Sequence, residues 1–158
     1  MSNGIFFSAL EKKFKNIEQK HIVLVGGCFD ILHFGHILFL KHAKQAGDFL
    51  VVALENDAFI RTNKKREPFH TLQERVRILK EVRSVDYVVP LPVLSGYEDY
   101  LRLVKTIRPS IIAVTENDPY ISQKREQALA VNAQVKIVVG RNSKHATTTI
   151  LQRVGEKK

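Results

Sequence analysis

Gly26-Gly27-Cys28-Phe29-Asp30-Ile31-Leu32-His33-Phe34-Gly35-His36 is the stretch that decides the fold. It follows a short, nearly all-apolar run from His21 to Val25, as expected of a parallel strand buried on both faces. A helix carrying Ile37, Leu40 and Ala43 on one side begins near Gly35-His36 and stops at Gly47. The apolar run Phe49 to Leu54 then reads as a second strand, completing a βαβ unit. The eleven residues therefore lie where a strand turns into a helix. There glycines permit close backbone approach, and a helix N-terminus offers N–H groups to an anion.

The alternation continues in both directions. Ser8-Ala-Leu-Glu11 reads as a capping box opening a helix whose Leu10, Phe14 and Ile17 share a face. Thr71-Leu-Gln-Glu74 is a second capping box, starting a helix with Leu72, Val76 and Leu79 inward, and Val85 to Val89 follows as a strand. Tyr97 to Ile107 reads as a helix closed before Pro109 and Ile111 to Val114 as a strand. Asp118-Pro119 reads as an N-cap with a first-turn proline. Val135 to Val139 is the fifth strand, and a last helix is expected to start among Ala146 to Thr149. Strands separated by helices predict one α/β domain over residues 1–158, with an N-terminal helix over 1–20 and a core over 21–158. The expected architecture is Rossmann-like and doubly wound on a five-stranded parallel sheet, with ligands at the carboxyl ends of the strands.

Composition narrows the function classes. With 44% hydrophobic and 26% charged residues the chain is ordinary globular protein, not disordered or fibrous. No apolar run approaches membrane-spanning length, and residues 1–20 lack the apolar core of a signal peptide, so a cytoplasmic location is expected. One cysteine, Cys28, excludes an internal disulfide framework and supplies too few thiolates for a structural zinc site. The net charge of +9 arises after residue 60, with eleven Lys/Arg against six acids over 61–108 and eight against four over 109–158. Its densest cluster is Arg61, Lys64, Lys65 and Arg66, which suits a polyphosphate, a nucleic acid or solvent alone.

His33 and His36, spaced i, i+3 across a helix start, can face one phosphate group, where imidazole N–H donors stabilise charge growing on a phosphoryl oxygen. Alone, the pair also fits a packed helix start or half a metal site. The pattern GxFDxxHxGH resembles the HxGH signature of the cytidylyltransferase-like nucleotidyltransferases, distant relatives of the class I aminoacyl-tRNA synthetases with their HIGH motif. Within that group the stretch Asp48 to Asp57, then Lys64, Pro68, Glu74-Arg75 and Ser84 to Val89, looks like the heptose-phosphate adenylyltransferases and glycerol-3-phosphate cytidylyltransferases. Arg141 to Ile150 looks like their closing motif.

The resemblance implies roles by position. His33, His36, Lys64 and Thr148 would be catalytic, with Lys65 an alternative to Lys64; Gly27, Cys28, Phe29, Gly35, Arg75, Asn117, Asp118, Arg141 and Thr147 would bind nucleotide. Asp30 would orient its loop, and Thr147 also reads as an N-cap. The chain departs from the pattern at Glu116, where relatives carry glycine, and at Ala146, where they carry serine. Implied further are in-line transfer of AMP or CMP from ATP or CTP to a phosphorylated small molecule, with pyrophosphate leaving and Mg²⁺ arriving with the nucleotide. A heptose 1-phosphate type of sugar phosphate comes first as acceptor, then glycerol 3-phosphate, then FMN as in archaeal-type FAD synthetases. No protein-bound metal and no membrane partner are expected, and nucleic acid is not the expected ligand, although a non-catalytic nucleotide- or RNA-binding protein is the reading from another class. Relatives often pair as dimers, for which Ile5, Phe6 and Phe7 offer apolar surface unless they cover the domain's own core.

Overall fold

The structure is a computed structural model and describes residues 3–17 and 20–140. Five parallel strands, β1 (Ile22–Gly27), β2 (Phe49–Leu54), β3 (Tyr87–Pro90), β4 (Ile111–Thr115) and β5 (Gln134–Val139), form one sheet in the order β3-β2-β1-β4-β5. β1 is central because its apolar residues are buried from both sides; Val23 and Val25 face one helical layer while Ile22 and Leu24 face the other. One layer is α1 (Asn3–Phe14), α5 (Tyr97–Ile107) and α6 (Ile121–Leu129), which contribute Phe7, Leu103 and Ala128 to a common core. The opposite layer contains α2 (Phe34–Lys44) and α4 (Leu72–Lys80), which bring Leu40, Ala43 and Leu79 onto the other face. Between β2 and α4 lies α3 (Asp57–Lys64), anchored by the fully buried Ile60.

Several local expectations are corrected. α1 starts at Asn3, so Ser8 lies inside a helix and does not cap one. The reason is Phe7, which is fully buried and lies under the Arg102 guanidinium, drawing the preceding turn into helical structure. Phe6 packs on the same core, leaving Ile5 as the exposed member of the apolar trio. Asp118 is not the N-cap of α6; its carboxylate accepts from the Tyr120 N–H at 2.8 Å and pairs with Lys124 at 2.6 Å, and Tyr120 occupies the cap. α3 was not foreseen, although Asn56 caps it by accepting from the Phe59 N–H at 2.9 Å. α2 ends at Lys44 with Gln45 as its C-cap, short of the expected stop at Gly47, where a Cβ would lie 2.6 Å from the His21 carbonyl oxygen. The Thr71–Glu74 capping box is present as read. The last expected helix lies outside the described residues.

Candidate active site

At the carboxyl edge of the sheet, β1 ends in Gly26-Gly27 and the chain reverses at Phe29, whose φ of 44° lies in the left-handed region. Gly27 makes that reversal feasible: a Cβ would stand 2.8 Å from the Phe29 ring, which folds back beneath it and is buried. Asp30, 3% exposed, then ties the loop to the segment before α4. Its carboxylate accepts from the N–H groups of Phe69 and His70 at 2.9 and 3.0 Å and pairs with Arg66. Burial alone would raise the Asp30 pKa, but the two backbone donors and Arg66 outweigh it and hold the acid below its ordinary value. The orienting role read for Asp30 matches this arrangement.

A group whose folded pKa is lowered contributes stability that is present above its unfolded pKa and lost as pH falls through the folded one. Asp30→Asn is therefore expected to melt well below wild type at pH 7. The gap narrows as pH falls below about 4, where the acid of the unfolded chain protonates, and closes as pH passes through the lower folded value. Thermal melts of both proteins at pH 7 and pH 3 check this.

His33 is the N-cap of α2. Its Nδ1 accepts from the His36 N–H at 3.4 Å, which leaves the imidazole proton on Nε2. The His33 and His36 rings stack with centroids 3.8 Å apart, and His36 leans on Phe29 at 5.1 Å. Gly27, Phe29, His33 and His36 are thus one contiguous unit at a helix N-terminus. Burial pushes the His36 pKa down to about 4, with His33 adding to the effect and the Ile31 backbone opposing it. His36 is neutral at pH 7, and its buried Nδ1 has no hydrogen-bond partner among the described residues.

Lys64 ends α3, and its charge, with those of Arg75 and Arg66, counters the rise that burial and Glu55 impose on the Cys28 thiol. Lys65 takes the left-handed C-cap position next to it. A thiol raised in this way is a poor nucleophile, in keeping with the packing role read for Cys28. Two of the four cations in the basic cluster face acids of this chain, Arg61 on Glu67 at 2.8 Å and Arg66 on Asp30.

Arg75 is placed differently from the phosphate-holding role expected of it. Its side chain is fully buried. Nε donates to the His70 carbonyl, Nη1 to the carbonyls of Cys28 and Glu55, and Nη2 to Asp57 at 2.6 Å. Four of the five guanidinium N–H groups are engaged by the chain's own loops, so in this arrangement Arg75 braces the site and does not line it. Asn117 is exposed after β4, next to Asp118 with its Lys124 partner. Glu116 donates its N–H to the Val139 carbonyl, and its carboxylate lies by Gly140, 3.6 Å from where a Cβ would stand. Arg141, Thr147 and Thr148 lie outside the described residues.

The sequence reading missed Glu55. Buried at the residue after β2, it accepts at Oε1 from Tyr100 Oη at 3.0 Å. The available signal was an acid directly following six apolar strand residues, at the sheet edge where ligands bind. Among the described residues no group of three or more His, Cys, Asp or Glu is placed to hold a metal ion, and no helix is long and apolar enough to cross a membrane.

The family model described as cytidylyltransferase-like matches residues 24–153. The chain is 39% identical to the FAD synthase of Thermococcus kodakarensis, over 93% of this chain and 97% of that protein. It is 34% identical to the bifunctional protein HldE of Chromohalobacter salexigens, over 88% of this chain and 29% of that longer protein. Among solved structures it resembles the lipopolysaccharide core biosynthesis protein from Thermoplasma volcanium, with 29% identity and a TM-score of 0.62 over 78% of this chain and 97% of that one. The pantoate-beta-alanine ligase of Francisella tularensis, at 17% identity and a TM-score of 0.63 over 87% of this chain and 66% of that one, shares the fold.

Proposed function

The chain belongs to the cytidylyltransferase-like family of nucleotidyltransferases, and from that premise we propose that it is an FMN adenylyltransferase, making FAD and pyrophosphate from ATP and FMN. The observation that carries this acceptor is the likeness to an FAD synthase along nearly the whole of both chains. The sequence reading ranked a heptose-type sugar phosphate first and FMN third. FMN moves ahead because the HldE match covers only 29% of that protein. The sugar phosphate remains the second reading, favoured by that match and by the Thermoplasma volcanium structure.

An oxygen of the FMN phosphate attacks the α-phosphorus of ATP. The bond from that phosphorus to the bridging oxygen breaks, and pyrophosphate departs with the electron pair. No covalent enzyme intermediate is needed, so catalysis rests on alignment and charge neutralisation. His33 and His36 stand stacked at the α2 N-terminus, and their imidazole N–H groups would meet the phosphates there as charge develops. Lys64, at the end of α3 and within electrostatic reach of Cys28, bridges the two anionic reactants. Arg141, Thr147 and Thr148 hold the departing phosphates by the same positional reading, and Asn117 and Asp118 serve the base and ribose. Mg²⁺ enters as part of the nucleotide substrate, neutralising its phosphates, in keeping with oxygen ligands supplied mainly by substrate.

Pyrophosphate release with each of the four NTPs against FMN, heptose 1-phosphate and glycerol 3-phosphate tests the proposal. ATP with FMN is the expected productive pair, with FAD appearing in step. Turnover with the sugar phosphate alone moves the assignment to the second reading, and turnover with CTP alone overturns adenylyl transfer. Lys64→Ala is expected to lower kcat/KM by about tenfold or more, while Lys65→Ala stays near wild type. Equal losses in the two variants would remove the distinction between these lysines.

A further inference from the structure

Two carboxylates are buried at the carboxyl edge of the sheet, and their surroundings differ in kind. Asp30 receives two backbone N–H groups and a guanidinium, as a carboxylate with a bracing role does. Glu55, 8% exposed, receives one neutral donor, the Tyr100 hydroxyl, at one oxygen. Its other oxygen has no hydrogen bond among the described residues. Burying an acid with so few donors costs stability, and an apolar side chain of similar size would pack there at lower cost. The carboxylate is therefore short of a donor at a place where substrate binds.

The nature of that donor follows from the neighbouring charges. Arg75 and Lys124 act on Glu55 from α4 and α6, but Arg75 is paired with Asp57 and Lys124 with Asp118. With these cations neutralised, Glu55 leaves the cluster negative once pH exceeds its pKa of about 7, and the ionised acid repels a phosphate and suits an uncharged O–H donor. Position selects the reactant. Glu55 continues β2, its N–H donating to the Gly27 carbonyl at 3.0 Å, and β2 lies on the opposite side of β1 from β4, where Asn117 and Asp118 follow. With base and ribose assigned to the residues after β4, the end of β2 is left for the carrier of the attacking phosphate, and Lys124, the partner of Asp118, reaches Glu55 by charge alone.

We propose that Glu55, oriented by Tyr100, accepts a hydrogen bond from a hydroxyl group of the acceptor, so that the site selects phosphates carried on a hydroxylated chain or sugar. The inference deepens the adenylyltransferase reading and rests on it. Both acceptors considered above carry such hydroxyls, on the ribityl chain of FMN and on the heptose ring.

The test is steady-state kinetics of Glu55→Gln and Tyr100→Phe with ATP and FMN, each varied in turn. Glu55→Gln is expected to raise the FMN KM about tenfold and leave the ATP KM within about twofold. Tyr100→Phe raises the FMN KM in the same direction by a smaller factor, and stands in if the first variant does not fold. Burial is the main reason the Glu55 pKa is raised to about 7, with Tyr100, Lys124 and Arg75 opposing it. Protonation below that pH replaces an acceptor oxygen with O–H, so the wild-type FMN KM climbs as pH falls through 7. The climb is lost in Glu55→Gln, while titration of the FMN phosphate itself persists in both proteins. An unchanged FMN KM, equal rises for ATP and FMN, or an unaltered pH profile overturns the inference. So does a Glu55→Gln protein that melts well below wild type at pH 8 with both constants raised, the mark of a brace. If wild type uses heptose 1-phosphate but not FMN, the FMN reading falls and Glu55 is tested on the sugar phosphate. If it uses neither acceptor, both fall.

Discussion

His36→Ala is expected to lower kcat for pyrophosphate release by about 10²–10³-fold, the usual cost of removing one preorganised donor to a developing oxyanion. The effect on stability is much smaller. Losing the ring contacts with His33 and Phe29 costs on the order of 1 kcal/mol, and deleting a buried Nδ1 without a partner offsets part of that. The depressed pKa gives a second readout. His36 stays neutral in the folded protein down to about pH 4, whereas in the unfolded chain it protonates near 6.5. Its contribution to stability is thus intact above 6.5 and declines as pH falls toward 4, and His36→Ala removes that decline. A bound triphosphate reverses the electrostatics, because its negative charge favours imidazolium. ATP binding below pH 7 should accordingly draw protons from solution in wild type, and fewer in the variant, as calorimetry in buffers of different ionisation enthalpy would detect. Wild-type kcat in His36→Ala would sink the role given to the histidine pair.

The parts of this molecule that were legible in the sequence are those fixed by local chemistry. β2 and α5 appear with the bounds read from their apolar runs and flanks, and the Thr71–Glu74 capping box is satisfied reciprocally because its hydrogen bonds span three residues. The pairing of His33 with His36 was legible for the same reason, since i, i+3 spacing brings side chains together on any helix. What escaped depends on contacts between distant segments. Phe7 extends α1 beyond its apparent capping box only because α5 lies beside it and Arg102 covers its ring. α3 is short and has a single fully buried residue, too little apolar periodicity to mark a helix. Glu55 is one residue in a stretch read for its strand, and its burial depends on Tyr100, 45 positions later. Arg75 was read from family position as a nucleotide ligand, while its partners, from Cys28 to His70, are visible only in the fold.

Arg75 is the residue on which the two readings make opposite predictions. If its role is the brace seen here, Arg75→Lys fails along with Arg75→Ala. One ammonium cannot reach three carbonyls and a carboxylate lying in directions that a planar guanidinium spans. Removing one partner of a buried pair leaves Asp57 and the carbonyls of Cys28 and Glu55 without their donors, a loss of about 3–5 kcal/mol. In a domain of this size that is a fall in melting temperature of roughly 10 °C. ATP should not relieve the deficit beyond what ligand linkage gives any folded form. If Arg75 instead holds a phosphate, Arg75→Lys keeps the wild-type melting temperature and raises the ATP KM, because a lysine can serve a phosphate as a point charge. Thermal melts of both variants with and without ATP, followed by ATP KM for whichever folds, separate the two cases. The structure favours the first, because a side chain with no exposed surface and four engaged N–H groups must break its own contacts before it can touch a substrate.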